Sequence, residues 1–409
     1  MRCRKGAFLA STPQRGIYMS EREFSASEAL FKIEGIIRSM NLDAVVRYAN
    51  NQTLVATAEL FDDTKNLIES SAGKGPDAVV GALAESIEHL STLHVSTKDL
   101  SSHRCDFIAS QVCAKADGIL SSLPDKSESI DTVMLTSLDL TQTLFVPHLL
   151  LNPTPVVDRL RSANLKFLSR YSSNSGIAFG CSKAEALLHG THEVIERHIL
   201  SAFFMAVCGI TPAMKLYAPS KSLLAKALRD DPAALALAEK LQIIIIKNQM
   251  EVYFSVAFPK SGPGDFHLSA VGSGSSLDIS LAVQRAVTEQ FQVHTLYDDA
   301  QDTIDRKTHD FLARSNKLKP LIDFEPLKNI ALPQLGLPIT DFTLSVPAQL
   351  ETLEKNLSAN GRSLYCRTVA EYDGGIVSQA YAPGLDRFNI IRTGCMVAPQ
   401  AVLLQQKTN

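Results

Sequence analysis

The stretch from Ser173 to Arg197, SNSGIAFGCSKAEALLHGTHEVIER, decides the fold of this chain. It begins with a turn rich in Ser, Asn and Gly and continues through a short apolar segment. It then enters a predicted helix that runs from about Lys183 to Val207. Small and acidic residues recur in this helix at intervals of three and four, so they share one narrow stripe on its surface. The stripe consists of Ala186, Gly190, Glu193 and Glu196.

The same spacing occurs in two other segments, and each copy follows a glycine-containing turn. In every copy a small residue is followed four positions later by a second small residue. Glu comes three positions after that, and Glu or Gln three positions further on. The other copies are Ala78, Ala82, Glu85 and Glu88, and Ala282, Ala286, Glu289 and Gln292. One such acidic pair is usually solvated helix surface, whereas three copies on one chain indicate a shared site. A purely structural role for the acids is the alternative.

The residues beside each stripe are apolar, so the helices and their acids are predicted to be buried or to face a cavity. Buried carboxylates need a cation or a proton. Mg²⁺ takes oxygen ligands and bridges carboxylates to phosphate oxygens, so we predict a magnesium and phosphate site shared by the three helices. The small residues would let the helices approach one another. The predicted metal ligands are Glu85, Glu88, Glu193, Glu196 and Glu289, with Arg197 and Arg285 placed to hold phosphate oxygens.

Other nucleotide-binding motifs are incomplete. Gly73-Lys74-Gly75 lacks the spacing and the hydroxyl of a P-loop, and Gly272-Ser273-Gly274 lacks the third glycine of a dinucleotide fingerprint. The cluster His189, His192 and His198 suits packing or support better than metal ligation, and Cys181 is predicted to be a buried thiol rather than a nucleophile. No residue stands out as the catalytic base.

Composition excludes several classes of protein. The 409 residues carry a formal net charge of -3, which gives no support to a nucleic-acid partner. No apolar run approaches the roughly 18 residues of a membrane span. The seven cysteines are widely spaced without a C-x-x-C pair, which favours reduced thiols in a cytoplasmic enzyme. The basic first 20 residues are predicted to be a disordered tail, and a true start at Met19 is the alternative.

Helical and strand patterns alternate along the chain, which predicts an α/β (α+β) fold of mixed sheets with packed helices. We expect one domain over residues 21–400 and a tail over 401–409. The region Glu21–Ile68 is predicted to be mostly helical. Further predicted helices are a helix from about Pro76 to Leu93 and one over Leu277–Leu296, and Val156–Phe167 is predicted to form another short element. Predicted strands are paired strands in Asp131–Leu151, then Gln242–Lys247, Val252–Phe258, Phe266–Gly272, Ser363–Val369 and Ile376–Ala382.

These residues resemble the YcaO family. The clearest match is Ser173–Arg197, with the family's glycine turn and terminal E-x-x-E-R. The turn Gly73–Gly75 with its following acids, and the R-x-x-x-E-x-x-Q pattern that begins at Arg285, are similar to two further family elements. Pro383-Gly384-Leu385 resembles the family's P-G-L turn, so the match spans about residues 70–395.

The resemblance implies a YcaO-type fold with an ATP site between helices, and ATP and Mg²⁺ as cofactors. The positions implied to bind nucleotide or metal are Lys74, Glu85, Glu88, Ser182, Glu185, Glu193, Glu196, Arg197, Arg285, Glu289 and Gln292. The family phosphorylates a peptide amide oxygen, which turns a poor leaving group into a good one. An azoline ring results when a Cys, Ser or Thr side chain has attacked the carbonyl, and a thioamide results when sulfide has attacked.

We therefore expect an ATP-dependent cyclodehydratase subunit that forms thiazoline or oxazoline rings in a ribosomally synthesised precursor peptide, as in bacteriocin biosynthesis. The chain shows no fused cysteine-rich leader-binding domain. The expected partners are thus the precursor peptide, a separate leader-binding protein and a dehydrogenase in a synthetase complex, and a homodimer is compatible with the sequence. The alternatives are a thioamide synthetase with a sulfur-delivery partner, and an ATP-binding accessory protein in ribosomal-protein modification.

The chain departs from the family pattern at three places. His198 stands where Asp usually follows E-R, and Ser175 stands where Asn often precedes the central glycine. Many ring-forming members end in a Pro-rich tail, whereas this sequence ends VAPQAVLLQQKTN with only Pro399.

Overall fold

The computed structural model describes residues 21–49, 53–93, 99–153, 161–264, 267–328, 330–339 and 342–405. Its helices are α1 Ala26–Ser39, α2 Ala78–Leu93, α3 Cys105–Ser110, α4 Gly118–Ser121, α5 His148–Leu151, α6 Ala163–Tyr171, α7 Lys183–Val207, α8 Lys221–Ala227, α9 Pro232–Ala238, α10 Ile279–Thr295, α11 Asp299–Ala313, α12 Pro320–Asp323, α13 Val346–Ala359 and α14 Gln400–Gln405. Its strands are β1 Asp43–Tyr48, β2 Val55–Phe61, β3 Leu67–Lys74, β4 Leu100–Arg104, β5 Ser129–Ser137, β6 Thr143–Pro147, β7 Ile177–Gly180, β8 Ala218–Pro219, β9 Leu241–Lys247, β10 Tyr253–Pro259, β11 Gly272–Ser276, β12 Gln334–Leu335, β13 Tyr365–Tyr372 and β14 Gly375–Tyr381.

The strands form three main antiparallel sheets, and a small parallel pair joins β8 to β12. The first sheet has the order β1-β2-β3, and the second has the order β11-β10-β9. The largest has the order β4-β5-β13-β14-β7, with β6 also paired to β5. Within the described strands, β3, β7 and β11 each lie at the edge of their sheet, so each keeps one side of its backbone free for other partners.

Each of these edge strands leads directly into one of the three acidic helices. β3 precedes α2, β7 precedes α7, and β11 precedes α10. The contacts also run in a cycle, because α2 touches β7, α7 touches β11, and α10 touches β3. The three strand–helix units therefore surround a common centre.

The small residues pack each helix against its own strand rather than against another helix, which corrects the sequence-based interpretation. A Cβ on Gly190 of α7 would lie 2.3 Å from the carbonyl oxygen of Gly176, just before β7. A Cβ on Gly73 of β3 would lie 2.3 Å from the backbone nitrogen of Ala82. A Cβ on Gly272 of β11 would lie 2.1 Å from the carbonyl oxygen of Ala286. Larger side chains at the contact would separate helix from strand.

Three buried apolar clusters support the sheets. The largest combines β5, β6, β9 and β10 residues with α7, and contains Phe203, Phe204 and Phe324. A second packs α8, α9 and α10 on one face of the β9–β11 sheet. The third packs α1 and α2 on the β1–β3 sheet and reaches Phe179 of β7. Burial of this kind is the main favourable term in folding.

The fold class predicted from the sequence is confirmed: the structure combines helices with antiparallel sheets. The prediction of a mostly helical Glu21–Ile68 was wrong, because only α1 is helical there and the β1–β3 sheet follows it. Phe266–Gly272 was also wrong as a strand, since the strand is β11 and begins at Gly272. The predicted pairing within Asp131–Leu151 is present as β5 and β6, although its last four residues form α5.

The predicted tails have different outcomes. Residues 1–20 and 406–409, as well as 156–160 of the element predicted at Val156–Phe167, lie outside the described residues. Residues 401–405 belong to α14, where Leu403 is buried, so the C-terminal tail was predicted to begin too early. The extent of the single domain stays a proposal. The six described cysteines are free thiols, and among the described helices none is long and apolar enough to cross a membrane.

Candidate functional site

A cavity of about 430 Å³ lies at the centre of the three strand–helix units. Acidic and basic side chains from α2, α7, α10 and β3 line it, and we call it the acidic cavity. The sequence-predicted residues that the structure brings together there are Lys74, Glu85, Glu88, Glu193, Glu196, Arg197, Arg285, Glu289 and Gln292. Two predicted residues, Ser182 and Glu185, do not line it.

The acids of α2 accept hydrogen bonds from backbone amides of edge strands. Glu85 accepts from the N–H of Ala72 in β3 at 3.1 Å. Glu88 accepts from the N–H of Phe179 in β7 at 2.7 Å. Thus the first acid binds the helix's own strand and the second binds the next strand in the cycle.

The acids of α7 repeat this arrangement. Glu193 accepts from the N–H of Gly176, next to β7, at 3.1 Å. Glu196 accepts from the N–H of Ser275 in β11 at 3.1 Å and from the hydroxyl of Ser273 at 2.6 Å. The repeated spacing in the sequence therefore has a structural reason: each pair of acids on α2 and α7 connects two sheets at the wall of the cavity.

The third copy departs from the pattern. Glu289 of α10 forms an ion pair with the ammonium group of Lys74 in β3. Lys74 is thus held by a carboxylate at the cavity wall, where the sequence predicted a nucleotide contact. Gln292, the last member of the copy, also lines the cavity.

The basic side chains that line the acidic cavity are too few to neutralise its carboxylates. Burial raises the pKa of Glu85 and Glu193 above the ordinary value of a glutamate, and it raises the pKa of Glu88 to about 8. Repulsion from Glu85 and Glu193 adds to the effect at Glu88. A bound divalent cation would have the opposite effect and lower these pKa values, because it stabilises the ionised carboxylates.

The residues fit magnesium held jointly with phosphate rather than a cage made by protein alone. Among the described residues, no group of three or more His, Cys, Asp and Glu side chains is arranged to hold a metal ion. Mg²⁺ usually keeps several waters and takes one or two carboxylates together with substrate phosphates. The spread of acids around the cavity suits that mode, because the ligand set would be completed by phosphate oxygens and water.

Sequence reasoning missed Glu21, which is buried in the cavity wall with 2% of its surface exposed. Its carboxylate accepts from Arg285 at 2.6 Å and from the hydroxyl of Ser276 at 2.6 Å. Burial opposes ionisation, but Arg285 and His192 outweigh it and hold the pKa of Glu21 below its ordinary value. Arg285 also donates to the carbonyl oxygen of Ser275 at 2.8 Å, so two oxygens fix the orientation of its guanidinium group.

The three histidines of α7 separate into two environments. His189 and His192 line the acidic cavity, and the Nε2 atom of each is buried without a hydrogen-bond partner among the described residues. His192 Nε2 lies 3.2 Å from a carboxylate oxygen of Glu21, at an angle unsuited to a hydrogen bond. His198 lies elsewhere, and its Nδ1 accepts from the N–H of Asp386 at 2.9 Å.

Ser182 and Glu185 organise the start of α7. The hydroxyl of Ser182 accepts from the N–H of Glu185 at 3.2 Å, which caps the helix. The carboxylate of Glu185 accepts from the N–H groups of Cys181 at 2.7 Å and Glu23 at 2.6 Å. Burial and the charge of Glu185 raise the pKa of Cys181 to about 11, which suits a structural thiol rather than a nucleophile.

The match to a family model covers residues 72–386 and includes all three acidic helices. That model is described as YcaO cyclodehydratase, ATP- and Mg²⁺-binding. The chain belongs to the YcaO family. The resemblance seen in the sequence is thereby confirmed, and so are ATP and Mg²⁺ as the family's cofactors. Membership of this family supports an ATP-dependent peptide-modifying enzyme.

Solved structures with the same fold share little sequence with this YcaO protein. The structure of YcaO from Methanopyrus kandleri bound with AMPPCP and Mg²⁺ has a TM-score of 0.61 at 17% identity, covering 94% of this chain and 98% of the other. A heterocyclase in complex with substrate and cofactor has a TM-score of 0.62 at 16% identity. That match covers 92% of this chain, which spans 54% of the heterocyclase chain.

A chain of the E. coli microcin synthetase McbBCD complex is a third structural neighbour. Its TM-score is 0.54 at 15% identity, and the match covers 83% of this chain and 86% of the other. The comparison with curated proteins found no match. At these identities the neighbours establish the fold of the YcaO protein and nothing more.

Proposed function

We propose that this YcaO protein is an ATP-dependent cyclodehydratase subunit that forms thiazoline or oxazoline rings in a ribosomally synthesised precursor peptide. The observation that carries the proposal is the set of carboxylates on α2 and α7, each bound by a backbone amide in or next to an edge strand and lining one cavity with arginine side chains. The heterocyclase and microcin synthetase neighbours make ring formation the preferred product class.

Within this proposal the acidic residues bind magnesium and the basic residues bind phosphate. Glu85, Glu88, Glu193, Glu196 and Glu289 would hold magnesium, which when bound neutralises phosphate charge. Arg197 and Arg285 would hold phosphate oxygens, and Lys74 would do so when it leaves Glu289. Gln292 would complete the polar wall. Ser182 and Glu185 would act indirectly, by fixing the start of α7.

The proposed chemistry needs positioning and charge stabilisation more than covalent participation by the protein. Attack of a Cys, Ser or Thr side chain on the preceding carbonyl leaves an oxygen that must depart. Transfer of the terminal phosphate of ATP to that oxygen, followed by loss of phosphate, removes it and leaves the azoline ring. Arg197 is well suited to stabilise the transferring phosphate because Glu193, 3.8 Å away, keeps its guanidinium group beside the carboxylates.

The test is thermal unfolding of wild type and Glu193→Gln, with and without Mg-ATP. The amide can still accept from the N–H of Gly176, so the fold should survive while a charged ligand is lost. At about 100 times its Kd, a ligand should add roughly 2.7 kcal/mol to wild type. The magnesium-dependent gain should shrink strongly in Glu193→Gln and persist in Glu371→Gln, an exposed control on β13. Equal gains in both variants would contradict the assigned site.

The product distinguishes ring formation from its alternatives. A precursor peptide with a core rich in Cys, Ser and Thr, encoded nearby and supplied with a leader-binding partner, should lose one water for each ring, as read by mass spectrometry. Exchange of oxygen for sulfur would instead identify a thioamide synthetase. ATP binding without modification or phosphate release with any such peptide would favour an accessory protein.

A further inference from the structure

A second cavity, of about 660 Å³, lies beside α7. It is lined by α7, by the segment before β8, by the end of β9 with its following turn, and by the turn before β13. We call it the basic cavity because its charged lining residues are Lys215, Lys247 and Arg362. None of the described residues that line it is Asp or Glu.

The cations of the basic cavity have no acidic partner in the part of the chain that the structure describes. Lys215 lies over the ring of Tyr217, 5.5 Å from its centroid. Arg362 donates to the carbonyl oxygens of Ala116 and Pro383, both at 3.4 Å. Lys215 and Lys247 are exposed to solvent. A ligand with carboxylates would therefore meet unpaired positive charge there.

The lining of the basic cavity is partly apolar. Met214, Ile246 and Met250 line the cavity together with the basic side chains, and Ile246 and Met250 are buried. Methionine adapts to side chains of varied shape, which suits a surface that accepts peptides. The lining thus combines apolar contact with positive charge, and it matches a peptide segment in which acidic residues stand beside apolar ones.

The basic cavity and the acidic cavity each share a lining residue with a small third cavity of about 20 Å³. Leu385 lines the basic cavity and the small cavity, whereas Arg197 lines the small cavity and the acidic cavity. Ser173 and Ser175 also line the small cavity. A peptide held in the basic cavity would therefore lie next to the small cavity that Arg197 lines.

We propose that the basic cavity binds the segment of the peptide substrate next to the modified residue and selects Asp or Glu beside apolar side chains. This inference rests on the proposed function, because only a peptide-modifying enzyme needs a peptide site adjoining its nucleotide site. It adds the charge preference of the substrate, which the family assignment does not give.

The test uses the full-length chain and two fluorescent pentapeptides. Each has a central cysteine and two leucines, and the first carries two glutamates where the second carries two lysines. Fluorescence anisotropy in the presence of Mg-AMPPCP should give a Kd about 10-fold lower for the acidic peptide, and the difference should shrink in high salt. Lys215→Glu/Lys247→Glu should abolish or reverse the preference. The matched control Lys317→Glu/Lys319→Glu changes two exposed lysines outside the basic cavity and should keep it.

Two outcomes would overturn the inference: wild type binding the two peptides equally or not at all, or the Lys215→Glu/Lys247→Glu variant keeping the wild-type preference. Mg-ATP stabilisation is measured on the same proteins. Neither lysine lines the acidic cavity, so both variants should retain it. Retained ATP binding with no peptide preference rejects the basic cavity alone, whereas absence of ATP binding in wild type rejects the proposed function as well.

Discussion

At the scale of single residues, Glu88 should make stability depend on pH in an unusual direction. Burial raises its pKa to about 8 in the folded protein, from an ordinary value of 4.5. Between these values the unfolded chain has released the proton and the folded chain still holds it. The free energy of unfolding should therefore fall as the pH rises from about 4.5 to about 8, and then level off.

Replacement of Glu88 by Gln removes this penalty, since the amide remains neutral and can still accept from the N–H of Phe179. Without nucleotide or magnesium, Glu88→Gln should be more stable than wild type at pH 8 by about 2 kcal/mol and similar to it at pH 5. That is less than a full conversion of the pKa shift, because the side chain keeps some contact with solvent. Urea unfolding at both pH values checks this, with Glu239→Gln on the exposed end of α9 as the control. A difference independent of pH would refute the assignment.

At the scale of elements, the close contact of α7 with β7 predicts that replacing a helical glycine by alanine destabilises the protein in α7, although the same change stabilises it in α1. Gly190→Ala would place a Cβ 2.3 Å from the carbonyl oxygen of Gly176, and backbone cannot move aside cheaply. We expect a loss of about 2–3 kcal/mol in the free energy of unfolding, because the strain outweighs the helix preference for alanine. Mg-ATP binding should weaken too, since Glu193 would move away from the N–H of Gly176.

Gly35→Ala in α1 is the matched control for this substitution. It also lies inside a helix, but among the described residues no atom beyond its own stretch of helix lies within 4 Å of the added Cβ. It should stabilise the protein by about 0.5–1 kcal/mol. Chemical unfolding of the two variants measures both effects. Equal effects of the two substitutions would show that Gly190 serves no packing purpose.

Elements also show what the sequence could predict. Lys183–Val207 was predicted and confirmed as α7, because a capping serine and a long apolar stretch act locally. β11, with the sequence GSGSS, carries no strand preference, and its residues are small because α10 packs directly on it. That reason is tertiary, so local patterns place a strand too early and miss this one. The β1–β3 sheet was missed for a related reason, since β1 is partly exposed and its pattern is weak.

The residues of the site could likewise be predicted only where a pattern in the sequence marks them. The acids of α2, α7 and α10 could be predicted as partners because their spacing repeats, and the structure places them around one cavity. Glu21 could not be predicted, because it precedes the first helix and no repeated pattern includes it. Its role depends on Arg285 and Ser276, more than 250 positions away in the sequence. The signal that could have found it is that Glu21 is the first acidic residue of the sequence.

At the scale of the whole molecule, the N-terminal segment Glu21–Glu23 contributes to the wall of the acidic cavity. Glu21 binds Arg285 of α10, and the N–H of Glu23 binds Glu185 of α7, so a few residues connect two of the three strand–helix units. Every described contact of this segment with the acidic cavity begins at Glu21. Two shortened chains should therefore behave differently, although they differ by only six residues at the start.

A chain that begins at Met19 keeps Glu21 and should match the full-length protein in thermal stability. A chain that begins at Ser25 leaves Arg285 and Glu185 without these partners, and loss of one member of a buried charged pair typically costs about 3–5 kcal/mol. Its Tm should fall by several degrees. The substitution Glu21→Gln in the full-length chain should reproduce much of the fall, because it removes the charge that faces Arg285 while keeping the segment. If the Ser25 chain is as stable as the Met19 chain, the segment is not part of the wall, and the three helices alone form the site.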